Sequence, residues 1–205
     1  VQSSFRKYQR VPNGAGVTGV EVAQRLMRME GLGLNIESAG KRTLSDHYDP
    51  RGRVLRLSAD VATRASVVSM AIVAHELGHA QQDIEAYSLF RLRTGLVPLV
   101  NFTSWLGPLL FLAGMFFNSY SLAWLGVLAF AGAVIFALVT LPVEIDASRR
   151  GLRLLEQSGL LCSPQERQGA RRILTAAALT YVAALAQALS NLLYYVFLLK
   201  GRRRR

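Results

Sequence analysis

Leu96–Phe117 reads LVPLVNFTSWLGPLLFLAGMFF and, after Asn118-Ser119, Tyr120–Leu141 reads YSLAWLGVLAFAGAVIFALVTL. Each run holds 22 residues, and no Lys, Arg, Asp or Glu occurs in the 50 positions of 94–143. A helix needs roughly 20 apolar residues to cross a bilayer core, so each run predicts a membrane span. The two-residue link leaves room only for a hairpin. A second charge-free run, 27 residues at 173–199, predicts a third transmembrane helix. It is the weaker span, because Gln187, Ser190, Asn191 and two tyrosines lie toward its far end; a buried or interfacial helix competes. Ala129, Ala133 and Ala137 form a small-residue face suited to close helix contact, although a lipid-facing, alanine-rich run would read the same way. Asn101 and Pro108 read as a kink or an interfacial start.

Composition agrees with this division. The 205 residues are 51% apolar and 18% charged, with a mean hydropathy of +0.26, against about 45–50% and 25% in an average soluble domain. Disorder is excluded for most of the chain. The net charge is +11, mostly arginine, including the tail Arg202-Arg203-Arg204-Arg205. In a soluble chain that would suggest nucleic acid. Beside membrane spans it reads as charge facing anionic lipid and fixing topology. No aromatic-and-basic motif supports nucleic acid, and no such partner is expected. The single cysteine, Cys162, excludes an internal disulfide. The chain starts at Val1, and no signal peptide is visible.

Five segments follow: 1–95, a membrane-proximal region; 96–141, the transmembrane hairpin; 142–172, a charged helix and connecting loop; 173–199, the third helix; and 200–205, a basic tail. Within the first, Phe5-Arg6-Lys7-Tyr8 and Pro12-Asn13-Gly14 are basic and turn-rich. Thr18-Gly19-Val20-Glu21 predicts a capping box, opening an amphipathic helix to about Glu30. Leu34-Asn35-Ile36 reads as a weak strand, Asp46–Pro50 as a turn and Arg53–Ser58 as a strand. A second helix is expected from about Ala65 to Ala86. Farther on, 142–158 is helix-forming up to Gly159, and Ser163-Pro164-Gln165-Glu166 starts a helix that runs on into 173–199. The fold class is mainly α and multi-pass, with a small α+β region: the second helix plus a short edge sheet.

The chemistry is concentrated in Val73-Ala74-His75-Glu76-Leu77-Gly78-His79-Ala80, which contains H-E-x-x-H. On a helix, positions i and i+4 share a face, so both imidazoles reach one ion. Zinc takes imidazole nitrogen and keeps a position open for water in catalytic sites. Glu76, beside the first ligand, is placed to act as general base. The competing reading is a helix whose histidines make ordinary hydrogen bonds. Two of only three histidines fall in the motif, which favours one Zn2+ per chain.

A third ligand is needed. His47, Cys162 and the acids of Pro142-Val143-Glu144-Ile145-Asp146 are candidates. A two-span hairpin returns the chain to its starting side, so Glu144 emerges on the face of His75 and His79. A plain role at the start of a helix, favoured by the helix dipole, competes for Glu144. Asp146 competes as ligand, from a different helix face.

Together, Asp46-His47-Tyr48-Asp49-Pro50, Leu57-Ser58, His75–Ala80, Pro142-Val143-Glu144 with Ala147-Ser148-Arg149-Arg150, and Thr180–Ala184 resemble the bacterial membrane-associated neutral zinc metallopeptidases. The resemblance covers nearly the whole chain. It implies an integral protein of the bacterial cell membrane and a peptide or protein substrate. Members typically carry one more membrane helix ahead of a segment like Val1–Arg10, so an N-terminal span is expected beyond this chain. The family is similar to the heat-shock membrane proteases and prenyl-protein proteases, whose E-x-x-A-D motif aligns with Glu144–Ser148. The resemblance implies that Glu144 is the third ligand of a gluzincin-like hydrolase, with a small α+β zincin-like catalytic region in 1–95 made of an active-site helix plus a short edge sheet. Ser148 departs from the aspartate of those relatives. Asp146 or Ser148 is then expected to support the ligands from outside.

His47, Tyr48, Arg149 and Arg150 are candidate oxyanion donors, although a turn role for the first two and juxtamembrane charge for the arginines account for them more simply. The strand at 53–58 is expected to offer an edge to an extended substrate. Two other functions compete with a membrane-anchored endopeptidase. An intramembrane protease would need H-E-x-x-H inside a span, yet 65–80 is short and polar for a crossing. A non-catalytic zinc scaffold would not need Glu76. Arg91, Arg93, Arg149, Arg150, Arg153, Arg171 and Arg172 favour a cytoplasmic zinc site, and the arginine tail opposes it.

Overall fold

The computed structural model describes residues 8, 11–40 and 45–202. The Phe5-Arg6-Lys7 turn and the arginines from 203 onward lie outside the described residues. The chain divides into two compact units. One comprises the residues up to Tyr87 together with Glu144–Thr180, and the other comprises Ser88–Val143 with the residues from Tyr181 onward.

In the first unit, helix α1 (Gly19–Glu30) begins at the expected capping box. Thr18 accepts from the Glu21 amide, and Glu21 Oε2 accepts from the Thr18 amide at 2.7 Å. Gly31 ends it in the left-handed conformation, φ 65°, which a glycine adopts without steric cost. Val22, Ala23 and Leu26 form its buried face. Three strands follow: β1 (Asn35–Ser38), β2 (His47–Asp49) and β3 (Val54–Leu57). Their order is β1-β3-β2, with β1 parallel and β2 antiparallel to β3.

Two sequence expectations are corrected here. Asp46–Pro50 is not simply a turn, since His47–Asp49 pairs with Val54–Arg56 as strand β2. The turn itself starts at Pro50, and Asp49 Oδ1 accepts from the Arg51 amide at 3.0 Å. The segment 53–58 offers no free edge, because β3 is the central strand and both its sides are paired. The outer strands are β1 and β2.

The helix expected at 65–86 is α3 (Val67–Ile84), and a short helix that was not expected, α2 (Ala59–Thr63), precedes it. Segment 64–66 between them stays extended because residues 11–13 bond to its flanks. The Asn13 amide donates to the Ala65 carbonyl and the Val67 amide to the Val11 carbonyl, each at 3.1 Å. Ser66 caps α3, accepting from the Ser69 amide at 3.1 Å. Val67, Met70, Ala71, Val73, Ala74 and Leu77 give α3 a buried flank.

Helix α4 (Ser88–Phe116) contains Pro98 and Pro108 without interruption. Helix α5 (Tyr120–Gln157) runs through Pro142, and α6 (Pro164–Arg202) begins at the expected Ser163 cap. Among the described residues, three helices are long and apolar enough to cross a membrane, and these are the three; α3 is not one of them. The protein is therefore a mainly helical membrane protein with a small α+β region. In the second unit the hairpin closes on glycines. A Cβ at Gly114 would collide with the backbone of Ala123, and one at Gly126 would sit 2.7 Å from the Gly107 carbonyl. Ala129, from the expected alanine face, meets Gly107 at the margin of this contact. Phe111 and Tyr195 pack with ring centroids 4.5 Å apart.

Candidate metal centre

The site belongs wholly to the first unit. Helix α3 carries His75 and His79 one turn apart, with ring centroids 4.8 Å apart. Helix α5 carries Glu144, which is 1% exposed. Its position corrects the helix-start reading: Glu144 sits deep inside a 38-residue helix, where no helix N-terminus can favour its charge.

Small residues explain how the two helices come so close. A Cβ on Gly78 would run into the backbone of Ala147, and one on Gly151 would lie 2.8 Å from the Ala74 carbonyl and 3.0 Å from the His75 amide. Ala74 and Gly78 are one turn apart on α3, as are Ala147 and Gly151 on α5. Each glycine opposes the other helix's alanine, so the backbones touch in an antiparallel crossing. Glu144, just before Ala147, is thereby pressed against the two imidazoles. His75 Nε2 lies 3.2 Å and His79 Nε2 3.6 Å from Glu144 Oε2. One donor atom from each of the three residues lies within 4.8 Å of the others.

The hydrogen bonds behind the rings decide which nitrogens carry protons. Asp146 Oδ2 accepts from Gln82 Nε2 at 2.8 Å and from Arg150 Nε at 2.6 Å. A carboxylate attracts donors, which orients the Gln82 amide and turns its oxygen to His79. That oxygen lies 3.0 Å from His79 Nδ1. On the other side, Ser148 Oγ donates to the Leu174 carbonyl at 3.3 Å and sits 3.2 Å from His75 Nδ1. With zinc bound through both Nε2 atoms, the Nδ1 protons would point to the Gln82 and Ser148 oxygens. Two imidazole nitrogens and one carboxylate oxygen form a donor set that catalytic zinc accepts, and the chemistry of these residues fits the ion.

Glu76 lies beside His75, and its Oε2 accepts from the Tyr48 amide of β2 at 3.0 Å. Burial is the main influence on it, and pushes its pKa up to about 7, with the nearby Glu144 and Asp46 charges adding to the rise. Tyr48 directs its hydroxyl away, to Asp83 Oδ2 at 2.9 Å. Asp46 anchors the start of β2 by accepting from the Ser58 amide at 2.7 Å and from the Ser58 hydroxyl. This ties the two motifs Asp46–Pro50 and Leu57-Ser58 together.

The remaining candidates stand outside the three-residue cluster. His47 is exposed, with Nδ1 2.8 Å from the Ser45 carbonyl. Cys162 is exposed at the start of α6. Arg149 is exposed, while Arg150 spans Asp146 and Glu85 Oε2, the latter at 2.7 Å. Sequence reasoning did not single out Gln82 or Gly151. An amide one turn beyond the second histidine, and the paired A-x-x-x-G spacing of 74–78 and 147–151, were the available signals.

Residues 1–200 match a family model described as "Putative neutral zinc metallopeptidase". The chain is also 43% identical over 204 residues to a Bacillus subtilis (strain 168) protein named "Putative membrane protease YugP"; the match covers 98% of this chain and 90% of the relative. No solved structure matches the chain.

Proposed function

The chain belongs to that family of zinc metallopeptidases, and from this we propose that it is a membrane-anchored endopeptidase of gluzincin-like type. In this reading His75, His79 and Glu144 hold the zinc and Glu76 is the general base. The observation that carries it is the convergence of His75 Nε2, His79 Nε2 and Glu144 Oε2, with the Glu76 carboxylate one residue from the first ligand.

Zinc held by two neutral rings and one carboxylate keeps a net positive charge, which acidifies a water and polarises a carbonyl. The rest falls to the chain. Glu76 takes the proton of the attacking water at its carboxylate and passes it to the departing amine. A pKa near neutrality suits both halves of that exchange, because the group must accept and then release one proton. The Tyr48 amide holds the Glu76 carboxylate in place. Gln82 and Ser148 hold the two imidazoles.

The substrate lies along β2. β2 is an outer strand of the sheet, and its Tyr48 amide turns to Glu76. An extended peptide adding to that edge brings its carbonyls past the base. His47 and Arg149, both exposed, are the residues from which an oxyanion donor is drawn. The zinc side faces the cytoplasm, following the arginines that flank the spans on that side. Cleavage of a reporter fused after Arg205, by protease added outside intact cells, tests this orientation.

Glu76→Gln tests the main claim. The variant should bind zinc as the unaltered protein does, and lose hydrolysis of an unfolded polypeptide such as casein. Full hydrolysis by that variant would remove Glu76 from the chemistry.

A further inference from the structure

We infer that Gln82 is a positioning residue for the metal centre: it relays the half-buried charge pair Asp146–Arg150 to His79 and fixes the proton of that ring on Nδ1. The inference rests on the zinc reading above and assigns a role to a residue that touches no ion.

The side chain of Gln82 is fully buried. An amide in such a place has one acceptor and one donor end, and which end faces which neighbour depends on the neighbours. Asp146 settles it. Its Oδ2 already accepts from Arg150 Nε at 2.6 Å, and it receives Gln82 Nε2 at 2.8 Å. The reversed amide would bring two oxygens together at that distance. With Nε2 committed, Oε1 faces His79 Nδ1 at 3.0 Å and accepts from it. The unprotonated Nε2 then points to Glu144 Oε2.

Arg150 extends the chain of contacts. It bonds Asp146 from one turn along α5 and Glu85 at the end of α3. The relay therefore runs Arg150 to Asp146 to Gln82 to His79, and it joins the same two helices whose backbones meet at Gly78 and Gly151. His75 is held differently, through Ser148 to the Leu174 carbonyl of α6. The two ligand rings thus have separate supports, and only that of His79 ends on a charge. Outer partners of a ligating histidine typically change metal affinity by about 10–100-fold when lost.

The test uses the full chain in detergent and zinc as the probe. Chelator competition gives the zinc Kd of wild type, Gln82→Leu, Asp146→Leu and Asp146→Asn. The amide oxygen placed at position 146 can accept from both Gln82 Nε2 and Arg150 Nε, as Asp146 Oδ2 does, whereas leucine there removes the acceptor that orients Gln82 and leaves position 82 itself untouched. Gln82→Leu and Asp146→Leu should each weaken zinc about 10–100-fold, and Asp146→Asn should stay within about threefold of wild type. An unchanged Kd in Gln82→Leu overturns the inference. A loss in Gln82→Leu with no loss in Asp146→Leu also overturns it, since packing at position 82 alone would then be at stake, and so does an Asp146→Asn as weak as Asp146→Leu. Should Gln82→Leu fail to fold, nitrogen-15 histidine spectra of the zinc-loaded wild type decide instead. With only three histidines in the chain, the His79 signals are assignable. Zinc on Nε2 of His79 with a protonated Nδ1 supports the relay, and zinc on Nδ1 refutes it. If wild type itself binds no zinc, the functional reading fails, and that result is distinct from all of these.

Discussion

Glu76→Gln should make the metal-free protein more stable at pH 8 and leave it unchanged below pH 4.5. The folded chain raises the Glu76 carboxyl from 4.5 to about 7, chiefly by burial. Below pH 4.5 the group is protonated whether the chain is folded or not, and burial carries no charge penalty. Between 4.5 and about 7 the unfolded chain gives up the proton while the folded chain retains it, so stability falls by about 1.4 kcal/mol per pH unit. Above about 7 both states are ionised and the loss is constant, with a ceiling of about 3 kcal/mol. Because Glu76 is only partly buried, solvent screening reduces this to roughly 1–3 kcal/mol. Glutamine does not ionise, and its carbonyl can still accept from the Tyr48 amide. For a chain of this size the gain corresponds to roughly 2–10 °C in Tm. Thermal unfolding in detergent with a chelator, at pH 4.5, 6 and 8, reads it directly. Zinc should shrink the gap, since two positive charges beside the carboxylate favour its ionised form. A difference between the proteins that is the same at all three pH values would refute the reasoning, because burial of the charge would then not be its source.

Three further outcomes follow from the geometry. Glu144→Ala should lower bound zinc at least tenfold by elemental analysis, as it leaves two imidazoles without the oxygen ligand; full metal content would shift the third ligand to another acid. Gly151→Leu should destabilise the first unit by about 2–4 kcal/mol and release zinc, because its side chain would have to occupy the space of the Ala74 backbone; both effects are read by unfolding and by chelator competition. Asp46→Ala should cost about 1–3 kcal/mol, since the Ser58 amide and hydroxyl both lose their acceptor, and unfolding of the variant with zinc present measures it.

Much of this architecture was legible in the sequence because the signals are local. The charge-free runs, the Thr18 and Ser163 caps and the pairing of His75 with His79 each depend on residues a few positions apart. What escaped depends on distant partners. His47–Asp49 is a strand only because Val54–Arg56 lies beside it. The break at 64–66 exists because residues 11–13 bond to its edges. Pro142 suggested a boundary ahead of Glu144, yet α5 continues through it; long membrane helices tolerate a proline where neighbours satisfy the freed backbone groups. Gln82 looked like one of several polar residues closing α3. Its role appears only when Asp146, 64 positions later, is brought alongside. The family resemblance supplied Glu144 where the residues alone left His47, Cys162 and Asp146 open.

The order of the donors along the chain sets a timetable. His75, Glu76 and His79 leave the ribosome early, and Glu144 follows 69 positions after the first of them, behind both legs of the hairpin. A nascent protein therefore owns Glu76 and two ring nitrogens long before it owns the Glu144 oxygen. On the proposed function, competence to cut waits for the second leg of the hairpin.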